Sequence, residues 1–138
     1  MGRLLTTAYA PDLVAEARRD HGHGSLAAPR VTVRNANLSC GDEVELDLDH
    51  DGERIAGVAQ RTRGCAFTRG SASLLAQLLP SLSLAEAREL VAALRRDLAG
   101  PAPLPPGLAA LAEVRMYPAR RRCALLPWDA LATAIDQV

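Results

Sequence analysis

Three cysteines and an aspartate are the residues in this sequence best suited to chemistry: Cys40, Asp42, Cys65 and Cys123. Cys40 lies in Ser39-Cys-Gly-Asp42, a tight turn feeding a strand-like pattern. Gly41 permits a sharp bend there, so Cys40 and Asp42 can point at one centre. Cys65 follows Gly64 and opens a helical pattern, and Cys123 falls in or beside the first turn of another. Helix N-termini carry partial positive charge, which favours the thiolate, the form that binds metal and attacks sulfur. Arg120, Arg121 and Arg122 add positive charge next to Cys123. Three thiolates and one carboxylate suit a tetrahedral zinc ion, and the soft sulfurs equally suit iron–sulfur chemistry. The carboxylate is the hard member of the set, which points to an exchangeable site rather than a purely structural one. Spacing alone does not join these residues. Their separations match no compact zinc-finger pattern, and free cysteines are often simply small buried hydrophobes.

The elements that must position them follow from periodicity. The spacing predicts an N-terminal helix over residues 4–20, with Leu4, Leu5, Leu13, Val14 and Ala17 as apolar positions and Pro11 at or before its first turn. Glycines in His21-Gly-His-Gly24 end it. Val31, Val33 and Ala36 predict a short strand. Glu43–Asp49 alternates strictly, placing Val44, Leu46 and Leu48 on one face and Glu43, Glu45, Asp47 and Asp49 on a wet one. A turn at His50–Glu53 leads into a returning strand over Arg54–Arg63. The period then becomes helical, with Phe67, Ser71, Leu74, Leu75, Leu78 and Leu79 on one face. Ser83-Leu-Ala-Glu86 is a capping box that starts a second helix through Leu90, Val91, Leu94 and Leu98. Gly100–Pro106 is a stiff connector. A short helix at Leu108–Ala112 and a last one over Arg121–Asp136 complete the pattern, with Pro127 expected near a first turn. The expected architecture is α+β: a small antiparallel three-stranded sheet with helices packed on one face, in a single domain of residues 1–138.

Composition narrows the function. The chain has 138 residues, enough for one core, and about half of them are hydrophobic. Sixteen basic residues balance sixteen acidic ones, so the basic excess of a nucleic-acid binder is missing. Every basic residue is Arg, and without Lys no lysine Schiff base can form. No stretch reaches the roughly 18–20 apolar residues of a membrane span, and the N-terminus does not read as a signal peptide. The expectation is a cytoplasmic protein with reduced thiols, binding neither nucleic acid nor membrane. An odd cysteine count fits metal binding or reactivity better than a disulfide framework. There is no Gly-x-Ser-x-Gly elbow and no phosphate-binding glycine loop.

Three segments, in order, carry a family resemblance. Asn37-Leu-Ser-Cys-Gly-Asp42 resembles the Asn-Pro-x-Cys-Gly-Asp segment of the IscU/SufU/NifU N-terminal family. Arg63-Gly-Cys-Ala-Phe-Thr-Arg-Gly-Ser-Ala-Ser73 resembles its Gly-Cys helix start with paired serines. Arg115–Leu131, with Arg120, Cys123, Trp128 and Leu131, resembles the SufU-type version of the last motif. IscU-type members have a His before the last cysteine, and here Arg122 stands there. The stretch between Cys65 and Cys123 is long, as in SufU-type members. Leu38 replaces the motif's proline, and Arg69 and Gly70 stand where the family has small or apolar residues. Residues 1–24 match least, with Asp20-His-Gly-His-Gly24 in place of the usual segment.

The resemblance implies the same α+β fold, and zinc on Cys40, Asp42, Cys65 and Cys123 or a transient iron–sulfur cluster at that site. It also implies a pyridoxal-phosphate-dependent cysteine desulfurase of the SufS type as partner, with downstream iron–sulfur assembly or acceptor proteins beyond it. Cys40 is the expected sulfur acceptor and Cys123 the second candidate; Arg120 and Arg122 are placed for partner contact or thiolate tuning. The first reading is a zinc-dependent sulfurtransferase, the alternative is a cluster scaffold, and the third is a structural zinc domain or adaptor. His21 and His23 could add imidazole ligands but read first as loop residues. His50 reads as solvated.

Overall fold

The computed structural model describes residues 10–138. Helix α1 spans Pro11–Arg19, followed by strands β1 (Val31–Asn37), β2 (Asp42–His50) and β3 (Ile55–Arg63). Helices α2 (Ala66–Leu78) and α3 (Leu84–Asp97) come next, then 3₁₀ turns at Ala109–Met116 and Pro118–Arg120, and helix α4 (Arg121–Asp136). The sheet is antiparallel in the order β1-β2-β3. This is the α+β architecture expected. Leu4 and Leu5, offered as apolar positions of the first helix, lie outside the described residues.

Alternation in β2 turns Val44, Leu46 and Leu48 inward, where all three are buried with Val31, Val33 and Ile55. Helices α2 and α4 cover that face with Phe67, Leu75, Leu79, Trp128 and Leu131. The opposite face is not wholly wet as expected: Asp47 is buried. Its carboxylate receives a two-pronged bond from Arg61 (Nη2–Oδ1 2.9 Å, Nη1–Oδ2 3.0 Å), with further donors in the Thr32 hydroxyl and the Leu26 N–H. Arg61 also donates to the Gly24 carbonyl, so this ion pair pins the loop after α1 across β2 and β3. The loop makes the burial, and strand alternation could not foresee it.

A glycine in α2 allows close packing. A Cβ on Gly70 would lie 2.7 Å from the Leu13 carbonyl oxygen, so Gly at this helix position lets α1 cross α2 backbone-to-side. The capping box is present in both directions, Ser83 Oγ accepting from the Glu86 N–H at 2.9 Å and Glu86 Oε1 from the Ser83 N–H at 2.9 Å. Arg115 closes the other end of α3 by donating to the carbonyls of Asp97 and Leu98. Pro127 is not near a first turn: it is interior to α4 and removes the helical partner of the Cys123 carbonyl.

Candidate metal centre

Helices α2 and α4 present their N-terminal ends to the turn between β1 and β2. Asn37 builds that turn. Its carbonyl accepts from the N–H groups of Cys40 (3.2 Å) and Gly41 (2.9 Å), and its side-chain oxygen from the N–H and hydroxyl of Ser39. Gly41 has φ +77°, the left-handed conformation the reversal needs. Cys40 thereby sits exposed at the tip, and Asp42 begins β2 facing inward. Cys65 is the N-cap of α2 and Cys123 lies in the first turn of α4. A buried polar chain holds the two helices in register. Trp128 Nε1 donates to Ser71 Oγ at 2.9 Å, and Ser71 donates to the Ala124 carbonyl at 2.6 Å.

Ligand atoms of Cys40, Asp42 and Cys123 all lie within 4.8 Å of one another. The sulfurs of Cys40 and Cys123 are 3.8 Å apart. Cys65 stands outside that trio but beside it, its sulfur 3.7 Å from Asp42 Oδ2 and its N–H donating to Oδ1 at 3.2 Å. Exposure is graded, with Cys40 exposed, Cys65 half-buried and Cys123 buried. Among the described residues, these four groups bring the expected ligand set to one place.

The electrostatics divide the set. Burial works to raise the Asp42 pKa. Hydrogen bonds from the Thr68 hydroxyl, the Cys123 and Cys40 thiols and the Cys65 N–H outweigh it and hold the carboxyl below its ordinary range. Cys123 moves the other way: burial first, then the Asp42 carboxylate and the neighbouring thiols, push its pKa up to about 12. The helix N-terminus and the arginine run were expected to favour a thiolate here. They do not prevail, because Cys123 is 1% exposed and faces a carboxylate, whereas Arg122 is exposed. A divalent cation held by these residues would reverse that balance by neutralising carboxylate and thiolate together.

The donor set therefore fits a soft, positively charged occupant. A buried carboxylate is ionised with only neutral groups bonded to it, and two thiols lie in reach. Zinc itself is not singled out by this chemistry, since iron in a sulfur-bridged cluster takes the same donors. Arg122 lines an open groove beside the tip with Asn37, Leu38 and Leu125. Leu38 there is 94% exposed. His21 and His23 belong elsewhere: His21 Nε2 is 3.5 Å from Glu16 Oε2, and His23 Nδ1 is 3.2 Å from Asp20 Oδ2. Sequence reasoning missed Thr68. The available signal was its place three residues after Cys65, which puts its hydroxyl on the same side of α2 as the thiol.

A family model described as the NifU-like N-terminal domain matches residues 16–137. The sequence is 30% identical over 137 residues to the iron–sulfur cluster assembly scaffold protein IscU of Streptococcus pyogenes, covering 96% of this chain and 86% of that protein. It is 26% identical over 135 residues to the zinc-dependent sulfurtransferase SufU of Bacillus subtilis, covering 95% and 91%. The crystal structure of the SUF-system protein FiSufU from Fervidobacterium islandicum superposes with a TM-score of 0.84 at 27% identity, over 94% of this chain and 98% of that one. Both IscU and SufU names thus occur at similar distance, and the SufU subtype is not separated from the wider family.

Proposed function

The chain belongs to the NifU-like N-terminal domain family, and from that premise we propose that it is a scaffold on which an iron–sulfur cluster is assembled and from which it is passed on. Iron and sulfide are its cargo. Cys40, Cys65 and Cys123 would supply thiolates to the cluster and Asp42 a fourth, more easily released ligand. The observation that carries this reading is Asp42: a buried, ionised carboxylate among thiols, hydrogen-bonded by neutral groups alone. Asp42 keeps negative charge at the floor of the site, Cys40 at the exposed tip meets incoming and outgoing partners, and Cys123 yields its proton as cargo binds. The partners are a cysteine desulfurase as sulfur source and acceptor proteins downstream.

Sulfur acceptance from a desulfurase, with zinc as a resident ion, is the second reading. The exposure of Cys40 favours it. In that chemistry the Cys40 thiolate attacks the outer sulfur of a donor persulfide. The donor's S–S bond breaks, its thiolate leaves, and Cys40 becomes the persulfide. Zinc would hold the thiolates of Cys65 and Cys123 and the Asp42 carboxylate and keep Cys40 deprotonated until exchange. The sequence placed this reading first. The scaffold name of the 30% identical relative, together with a site as open to iron as to zinc, supports the reverse order.

The test is elemental analysis of anaerobically purified protein, wild type beside Cys40→Ser, Asp42→Ala, Cys65→Ser and Cys123→Ser, followed by incubation with ferric iron and sulfide. The scaffold reading expects wild type to build a chromophoric cluster and hand it to an apo-acceptor, with loss in each cysteine variant. About one tightly held zinc per chain, no cluster, and a several-fold gain in desulfurase turnover would put the second reading in its place. Protein with neither metal nor cluster, and variants indistinguishable from wild type, would overturn both.

A further inference from the structure

The Asp42 carboxylate rests in a cradle made by α2. Thr68, fully buried, donates its hydroxyl to Asp42 Oδ2 at 2.5 Å, while the Cys65 N–H donates to Oδ1. The same Thr68 oxygen is 3.5 Å from the Cys65 sulfur, so a single hydroxyl touches two members of the donor set. Gly64 forms the cradle's floor. Its φ is +147°, and a Cβ built there would overlap the Asp42 carboxylate. Space and hydrogen bonding therefore restrict this side chain to one orientation.

We propose that Thr68 is a positioning residue for the metal centre: its hydroxyl fixes the Asp42 carboxylate so that lone pairs facing Cys40 and Cys123 are left for the metal. This rests on the metal-binding reading above. A hydroxyl carries one proton. Thr68 spends it on Asp42 Oδ2, so toward the Cys65 sulfur, 3.5 Å away, its oxygen has only lone pairs to offer. When the Cys65 sulfur turns to a metal, the Thr68 hydroxyl hydrogen still points at the carboxylate, so the orientation survives loading. A carboxylate has about four lone-pair sites. With one on each oxygen already taken by α2, Asp42 binds through what remains, as a directed and weak ligand. Without the hydroxyl, the carboxylate is free to turn within a buried site.

The experiment uses the full chain loaded with cobalt(II), whose visible absorption reports the number and geometry of its ligands. Four proteins are compared: wild type, Thr68→Ser, Thr68→Ala and Thr68→Val. Ser and Ala differ by the hydroxyl alone, and Val keeps the shape of Thr. The expected result is that Ser reproduces the wild-type spectrum and dissociation rate in excess chelator, whereas Ala and Val both shift the ligand-field bands. Loss of an outer-shell partner typically costs 10–100-fold in metal affinity, and a drop in that range is expected for both. Asp42→Ala serves as reference. If Asp42→Ala loses cobalt while Ala and Val at position 68 match wild type, the proposal is overturned and the metal-binding reading stands. If Ser and Ala are equally impaired, packing rather than the hydroxyl is responsible, and the proposal is again overturned. Wild type that takes up no cobalt overturns both. Should Val fail to fold, the Ser–Ala pair decides alone.

Discussion

Strand β2 carries two buried aspartates, Asp42 and Asp47, each 3% exposed, each ionised and each held below its ordinary pKa, yet they do different work. Asp47 is held first by the Arg61 guanidinium, then by Thr32 and the Leu26 N–H. Its charge is cancelled inside the fold, and the pair fastens the loop after α1 to the sheet. Asp42 is held by a hydroxyl, thiols and an amide, all neutral. Its charge is tolerated rather than cancelled. A buried carboxylate with its own cation is finished structure, whereas one with neutral donors and adjacent thiols is prepared for a cation from outside.

The comparison breaks most visibly in metal binding. Asp42→Asn should weaken binding of a divalent soft metal on the order of 100-fold, or about 2.7 kcal/mol, while Asp47→Asn leaves it within about twofold; competition with a chromogenic chelator measures both. In stability the order reverses. Asp47→Asn leaves Arg61, whose side chain keeps 29% exposure, with Glu45 as its remaining carboxylate and loses the charged two-pronged bond, which should cost about 2 kcal/mol in denaturant unfolding of the metal-free protein. Asp42→Asn should cost about 1 kcal/mol, because the amide oxygen keeps one of the two α2 donors while its NH2 faces the other, and removal of a buried charge offsets part of that loss. Equal losses in both assays would erase the distinction.

The alkaline limb sharpens it further. Cys123 is raised from 9.0 to about 12. The folded chain therefore holds this proton more tightly than the unfolded chain, and the stability it contributes is complete below pH 9.0 and lost as pH rises toward 12. Metal-free wild type should destabilise across that window, and Cys123→Ala should flatten the loss. The carboxylates act at the other end. Their lowered values give stability that is present above the ordinary 3.8 and lost as pH falls below it. Asp47→Asn should remove its share of that acid limb. The smallest effect expected is at the rim: Leu38→Ala, at 94% exposure, should leave stability within about 0.5 kcal/mol, seen in the same denaturant curves.

Much of the fold is legible in the sequence because it depends on local rules. Alternation in Glu43–Asp49 marks β2 and its buried face, Ser83 and Glu86 mark the start of α3, and the last helix falls on Arg121–Asp136 as its pattern implies. Cys40, Cys65 and Cys123 stand out as candidates equally plainly, since few residue types offer soft donors, and Asp42 stands out by its place two residues after Cys40. What only the tertiary structure decided is how those residues stand to one another and to water. Burial against Asp42 turns Cys123 from an expected thiolate into a thiol held near 12. The loop after α1 takes Asp47 out of solvent and gives it Arg61, although strand alternation places it on the wet face. Thr68 and Gly64, ordinary in sequence, become the cradle of a carboxylate far along the chain. The reason is common to all three. Periodicity reports which face of an element is apolar, but the charge state of a buried group depends on which other elements arrive beside it, and that is settled only when the helices close on the sheet.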